Sequence, residues 1–230
     1  MWAVIGASAI TGGGRVMNRI VCAAFGCLML SLQSQAASVL FNFDDVPQYS
    51  SLPSTLTVDG LTAQFAATGQ GFSIQAANVL GFTTVGFSGN IIYPNSIYQA
   101  DLQVSFSQSL TSFSILYSPE EYGTDTSATM RVTAFMNGGL VGTNTASINC
   151  DTQGGACTWA TGTLGFSSVL AFNSVLVHYD KTPATGGDYG PIFMADNMNV
   201  TEAPVPLSAS IWYLLPALGG LRMVSRKRKV

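Results

Sequence analysis

The chain has little charge. Of its 230 residues only 9% are Asp, Glu, Lys or Arg, nine are cations and one is a histidine. Between residues 37 and 203 only Cys150, Cys157 and His178 are zinc ligands of the usual kind, one short of a four-ligand site. The sequence also has no Gly-x-Ser-x-Gly elbow, His-Glu-x-x-His helix, Walker loop or Gly-x-Gly-x-x-Gly turn, so no common catalytic signature marks an active site. Between residues 37 and 203 no segment keeps a helical period with caps, which argues against an α or α/β domain.

The few charges are unevenly placed. Five of the nine cations, Arg222, Arg226, Lys227, Arg228 and Lys229, lie in the last nine positions. Between Ala37 and Ala203 only Arg131 and Lys181 face twelve carboxylates, a formal charge of −10. A field of that sign repels phosphate backbones and argues against nucleic acid as a partner, while it suits cations.

What is present begins with a leader. Met17-Asn18-Arg19 precedes the apolar run Ile20 to Leu32 and then Ser34-Gln35-Ala36, whose small residues fall at −3 and −1 for cleavage before Ala37. This is the layout of a secretory signal peptide. A transmembrane helix is the alternative, but about 13 apolar residues are fewer than the ~18–20 a bilayer needs. Residues 1–16 read as an over-extended start, with Met17 the initiator. Cys22 and Cys27 would leave with the leader, and in an oxidising compartment Cys150 and Cys157, in "NCDTQGGACTW", are expected to pair. That disulfide would clip a short loop and stabilise by about 2–3 kcal/mol.

The middle of the chain reads as strands. "SVLFNFD" puts Val39, Phe41 and Phe43 on one face, and "DLQVSFS" does the same with Leu102, Val104 and Phe106. Further strands are expected at 111–117, 128–136, 140–148, 157–164, 168–179 and 192–200, separated by turns at Asp59-Gly60, Asn137-Gly138-Gly139, Gly154-Gly155 and Gly186-Gly187. This pattern predicts one all-β domain over 37–203, an antiparallel β-sandwich of jelly-roll-like form.

Four groups of residues are candidates for chemistry. His178 near Asp180 has the makings of a general base, or is an ordinary histidine on an alternating strand. Glu120-Glu121 offers a glycosidase carboxylate, although adjacent residues cannot alone flank a sugar. Tyr117, Tyr122, Tyr179 and Tyr189 suit either a sugar-stacking platform or sheet packing. Asp44-Asp45 ends the first strand and Asp196-Asn197 interrupts the last, and the two strands are expected to be neighbours. These four residues form a set of hard oxygen ligands for a structural Ca²⁺, or cap turns through their own backbone. No catalytic residue is assigned.

The C-terminal segment has three features in order. Val205-Pro206-Leu207-Ser208 follows the domain, Leu207 to Leu221 is apolar, and Arg226-Lys227-Arg228-Lys229 closes the run. Cations after an apolar run keep that end cytoplasmic. The order resembles the VPLPA variant of the bacterial PEP-CTERM sorting tail, with Ser208 at the variant's second proline; "MADNMNVTEAPVP" resembles the last strand and linker of such proteins. The resemblance covers about 26 residues. It implies processing by an exosortase-type enzyme, transient inner-membrane anchoring through a C-terminal helix, and a Gram-negative envelope or extracellular matrix setting with polysaccharide as partner. The expected function is an exported matrix protein that binds or structures polysaccharide. The alternatives are a glycan-active enzyme using carboxylates and a protein-binding adhesin.

Overall fold

The computed structural model describes residues 36–121, 127–149, 157–180 and 192–204. Ala36–Ala203 forms one compact unit. No helix occurs among the described residues, and none is long and apolar enough to cross a membrane. The strands are β1 (Ser38–Phe41), β2 (Ser54–Val58), β3 (Leu61–Ala67), β4 (Phe72–Ala76), β5 (Asn90–Pro94), β6 (Leu102–Glu121), β7 (Ser127–Met136), β8 (Gly139–Asn149), β9 (Cys157–Thr158), β10 (Gly162–Asp180) and β11 (Ile192–Glu202). Every pairing between them is antiparallel.

Two long strands run through both layers. The start of β6 pairs with β3 and with the end of β10, which pairs in turn with β7 and through it β8. The rest of β6 lies between β11 and the start of β10, and β11 also pairs with β1 and β5. The two regimes of β6 and β10 meet near residues 107–111 and 168–173, where the β6–β10 register shifts on either side of Phe172. Bulges of this kind let a strand bend and change sheets. The sequence suggests separate strands at 102–106 and 111–117; the structure joins them, because the uncharged Ser-rich stretch between them continues the pairing with no turn residue to stop it.

The period of two sets the core. Val39 and Phe41 are buried while Leu40 is half-exposed, and Leu102, Val104 and Phe106 all point inward. Phe41 and Phe43 meet Phe65 of the opposite layer edge-on, with ring centroids 6.3 and 5.1 Å apart. Phe166 meets Phe172 in the same way at 5.3 Å. Each such ring contributes about 1.5–3 kcal/mol by leaving water.

Both described turns foreseen in the sequence are tight hairpins. Asp59 and Gly60 join β2 to β3, and Asn137 and Gly138 join β7 to β8; in each pair both residues have positive φ, as a type I′ turn requires. The strand expected over 157–164 is instead broken. β9 stops at Thr158, Trp159 takes φ 47°, and its amide donates to the Pro119 carbonyl at 2.9 Å. The Trp159 ring then stacks on Tyr93, centroids 6.2 Å apart, in a second apolar cluster with Phe87, Ile91, Ile192 and Met194. Packing of a large ring overrides the local strand preference.

One end of the sandwich gathers the chain's entry and exit. The Glu202 amide donates to the Ala37 carbonyl at 2.9 Å, and the Ala203 amide to the Ser109 carbonyl at 2.8 Å. The leader, Cys150, the turns at 154–155 and 186–187, and Val205, Pro206, Leu207, Arg226, Lys227, Arg228 and Lys229 lie outside the described residues. Cys157 opens β9, so its pairing with Cys150 lies outside them as well.

Candidate functional site

The carboxylates at the two chain ends meet over one loop. β1 pairs with β11, so the residues after β1 and the middle of β11 are close neighbours. Asp44 Oδ1 accepts from the Asn90 amide at 2.9 Å, and the Asn90 side chain donates to the Asp44 and Val46 carbonyls at 3.3 and 3.0 Å. Asp196 Oδ2 accepts from the Ser88 amide at 3.3 Å, and its Oδ1 accepts from the Asn197 amide at 2.7 Å. Residues 88–90 thus hold both carboxylates. Gly89 is required here: its φ is 58°, and a Cβ at this position would collide with the Asp44 carboxylate.

A bulge aims Asp196 and Asn197. Asp196 faces Leu116 on β6, but Asn199 faces Ser114, so β11 carries one extra residue there. Asn197 absorbs it at φ 49°, a conformation asparagine tolerates. Its side chain donates to the Gly86 carbonyl and to Asp196 Oδ2, both at 3.3 Å. Asp196 is 1% exposed, and burial, with the nearby Asp44 charge adding to it, pushes its carboxyl up to about 6 against the pull of the two amides. Asp45 is exposed on the turn after β1. Asp44, Asp196 and Asn197 are therefore brought together and Asp45 stands at the margin. Among the described residues no three His, Cys, Asp or Glu side chains form a metal cluster. A cation here would draw its remaining ligands from backbone carbonyls, which Ca²⁺ accepts. Beside this loop lies a depression of about 420 Å³ lined by Ala77, Asn78, Thr83, Phe87, Ser88 and Gly89.

A second constellation lies at the end of the sandwich away from the chain's entry and exit. His178 Nδ1 is 2.6 Å from Asp101 Oδ1, while Asp180, the partner suggested by sequence, is 3.8 Å from Nε2. An ionised carboxylate only accepts, so Asp101 fixes the proton on Nδ1 and leaves Nε2 as an acceptor. Arg131 lies opposite His178 on β7 and reaches Asp180 at 3.2 Å. Gln99 Nε2 lies 3.3 Å from the imidazole nitrogens and donates to the Tyr179 carbonyl at 3.4 Å. Next to Gln99 in sequence, Tyr98 is well exposed. The chain's one histidine and the one arginine between 37 and 203 thus share a single partly exposed patch with two aspartates. Sequence periodicity placed His178 and Arg131 on strands; only the register, with both on adjacent strands, brings them together.

The other candidates are placed differently. Tyr117 and Tyr179 are buried in the core, so they are packing residues and not a sugar platform; burial pushes the Tyr117 hydroxyl up to about 12, and it donates to the Ala146 carbonyl at 3.2 Å. Tyr122 and Tyr189 lie outside the described residues. Glu120 is largely buried on β6, where its charge, after burial itself, helps raise the Tyr93 hydroxyl.

No family model and no curated protein sequence matches the chain. Among solved structures, the K2 adhesin domain of Lys-gingipain is similar at a TM-score of 0.45 and 14% identity, over 71% of this chain and 99% of that one. A family 35 carbohydrate-binding module from Clostridium thermocellum is similar at 0.31 and 17%, over 73% and 100%. An isomalto-dextranase from Arthrobacter globiformis is similar at 0.36 and 14%, over 73% of this chain and 33% of that one.

Proposed function

We propose that the chain is an exported, non-catalytic envelope or matrix protein whose jelly-roll-like sandwich binds polysaccharide through the His178 patch. The observation that carries this reading is the gathering of Asp101, His178, Asp180, Arg131 and Gln99 in an otherwise cation-poor domain. Sugar hydroxyls donate and accept at once. A surface with interleaved carboxylates, a guanidinium, a carboxamide and an imidazole acceptor matches that chemistry, and exposed Tyr98 adds an apolar ring face of the kind that covers a pyranose.

In this reading Ca²⁺ supports the fold and takes no part in sugar recognition. Asp44 and Asp196 would hold it, with Asn197 positioning Asp196 on the bulge. The buried Asp196 and neighbouring Asp44 repel each other as anions, and a divalent cation turns that repulsion into attraction. The leader would deliver the domain outside the cytoplasm of a Gram-negative cell. Residues 204–230 would anchor it in the inner membrane until an exosortase-type enzyme cleaves near Val205-Pro206.

A glycan panel tests the reading. The full chain should bind at least one acidic or neutral polysaccharide, and Arg131→Ala or His178→Ala should weaken that binding at least tenfold while the protein stays folded. Turnover of a glycan, abolished by Glu120→Gln, would replace this reading with that of an enzyme. Binding to a protein partner with no glycan binding would replace it with that of an adhesin.

A further inference from the structure

We infer that the bent end of the sandwich is a lipid-facing surface, on which Val169, Leu170, Leu140 and Met136 rest against the bilayer that receives the C-terminal apolar segment. The inference rests on the anchoring reading of residues 204–230. It begins with exposure: Val169 is 100% exposed, Leu140 68% and Leu170 64%. Single exposed aliphatics are ordinary on soluble proteins, but these are collected at one place.

The register shows where. Val169 and Leu170 sit on the shifted stretch of β10 between Ser167 and Phe172. Leu140 pairs with Phe135 beside the β7–β8 turn, and that turn is tied to β10 by Asn137 and Asn173, whose amide and side-chain bonds span 3.0 and 2.8 Å. Ser167 pairs with Ser112 and Ser112 with Thr201, so Thr201 lies two strands from Ser167, about 10 Å at ordinary strand spacing, and Val169 is two residues further along β10. The chain leaves the domain there, and Leu207, where the apolar run begins, is three positions beyond Pro204. Fully extended, that stretch reaches about 10 Å. In the anchoring reading, the end of β11 is the part of the domain on the shortest tether to the bilayer.

Charge is consistent with that position. Segments 107–112, 136–142 and 165–173 contain no Asp, Glu, Lys or Arg; the carboxylates at this end are Glu202, paired with Leu110, and the exposed Asp59 on the turn before Thr62, which are outside the aliphatic strip. The His178 patch lies at the opposite end of the same strands, roughly 15–20 Å away at ~3.3 Å per residue. A domain resting on its aliphatic end presents that patch outward.

The experiment places the full chain in phosphatidylcholine–phosphatidylglycerol vesicles carrying bromine on the upper acyl chain, which quenches nearby indoles. Trp212, inside the apolar run, reports on the anchor, with Trp212→Phe as its blank. Val169→Trp reports on the aliphatic end, and Val85→Trp, exposed on the loop held by Thr161, serves as the remote control. The expected result is quenching of Trp212 and a quenching constant at least threefold larger at position 169 than at 85. Quenched Trp212 with no difference between 169 and 85 overturns the inference and leaves the anchor standing. Unquenched Trp212 removes the anchor and the inference with it. A Val169→Trp emission already blue-shifted without vesicles, together with dimers in solution, assigns the aliphatic end to a second copy of the chain and overturns the lipid reading.

Discussion

The two ends of the sandwich share the same strands and differ in nearly everything else. At the bent end β6 and β10 change layers, the chain enters and leaves, and exposed aliphatics project from uncharged segments. At the other end Asp101, His178, Asp180 and Arg131 form a network of partly exposed polar and charged side chains. The long strands run unbroken from one end to the other, so two chemistries can be placed far apart and still be fixed relative to one another. In the proposed reading this contrast gives attachment to one end and recognition to the other.

The largest effect should come from the bend itself. Phe172 is fully buried where both long strands shift register, and its ring meets Phe166. Phe172→Ala should cost about 3–5 kcal/mol, read as a fall in the denaturation midpoint. A loss below 1 kcal/mol would mean that the bend collapses freely and is not where the layers are held together.

Next in size is the carboxylate pair between the ends. Asp196 is pushed up to about 6 from 3.8, so its neutral form is favoured by folding. The contribution is present below about pH 3.8 and is lost as pH rises through about 6, amounting to about 3 kcal/mol. In EDTA, stability should therefore carry a falling component across that window, absent in Asp196→Asn. With millimolar Ca²⁺ the ionised form is held, and the melting temperature near pH 7 should rise. Identical pH profiles for wild type and Asp196→Asn in EDTA would rule out the buried carboxyl as a titrating group, and no response to Ca²⁺ would remove the cation.

Smaller changes in stability are expected at the charged end. Arg131 and Asp180 are about two-fifths exposed, so their pair contributes less than about 1 kcal/mol. Arg131→Ala should leave the melting transition within a few degrees of wild type while weakening glycan binding. Comparable losses of stability and binding would make the network a structural clamp. Smallest of all, Val169→Ser with Leu170→Ser should move stability by less than about 0.5 kcal/mol, because neither side chain is in the core. A larger loss would show that the aliphatic end supports packing.

The all-β class was legible because alternation is a local signal: "SVLFNFD" and "DLQVSFS" show their buried faces residue by residue. Glycine after Asp59 and Asn137 also announced two hairpins. What could not be read was the consequence of register. Nothing near His178 in sequence announces Asp101, Gln99 or Arg131, and nothing in "SPEE" tells that β6 bends earlier and continues to Glu121. The strand expected over 157–164 includes Trp159, but the place of this residue depends on Tyr93, 66 positions away, and on the Pro119 carbonyl. The meeting of Asp44 with Asp196 was foreseeable in outline from strand order, but the residue that makes room for it, Gly89, carries no mark in the sequence beyond being a glycine.

The pairing of β1 with β11 has a mechanical meaning. If the domain is held at Ala203 and pulled through a ligand at the His178 patch, the load runs lengthwise along β6, β10 and β11. Their hydrogen bonds lie across that direction and must shear together, whereas a force applied at one edge would open them singly, like a zip. β11 is flanked by β6 on one side and by β1 and β5 on the other. Under such a load the strand that ends beside Ala203 would be gripped from both sides, a geometry that resists extension.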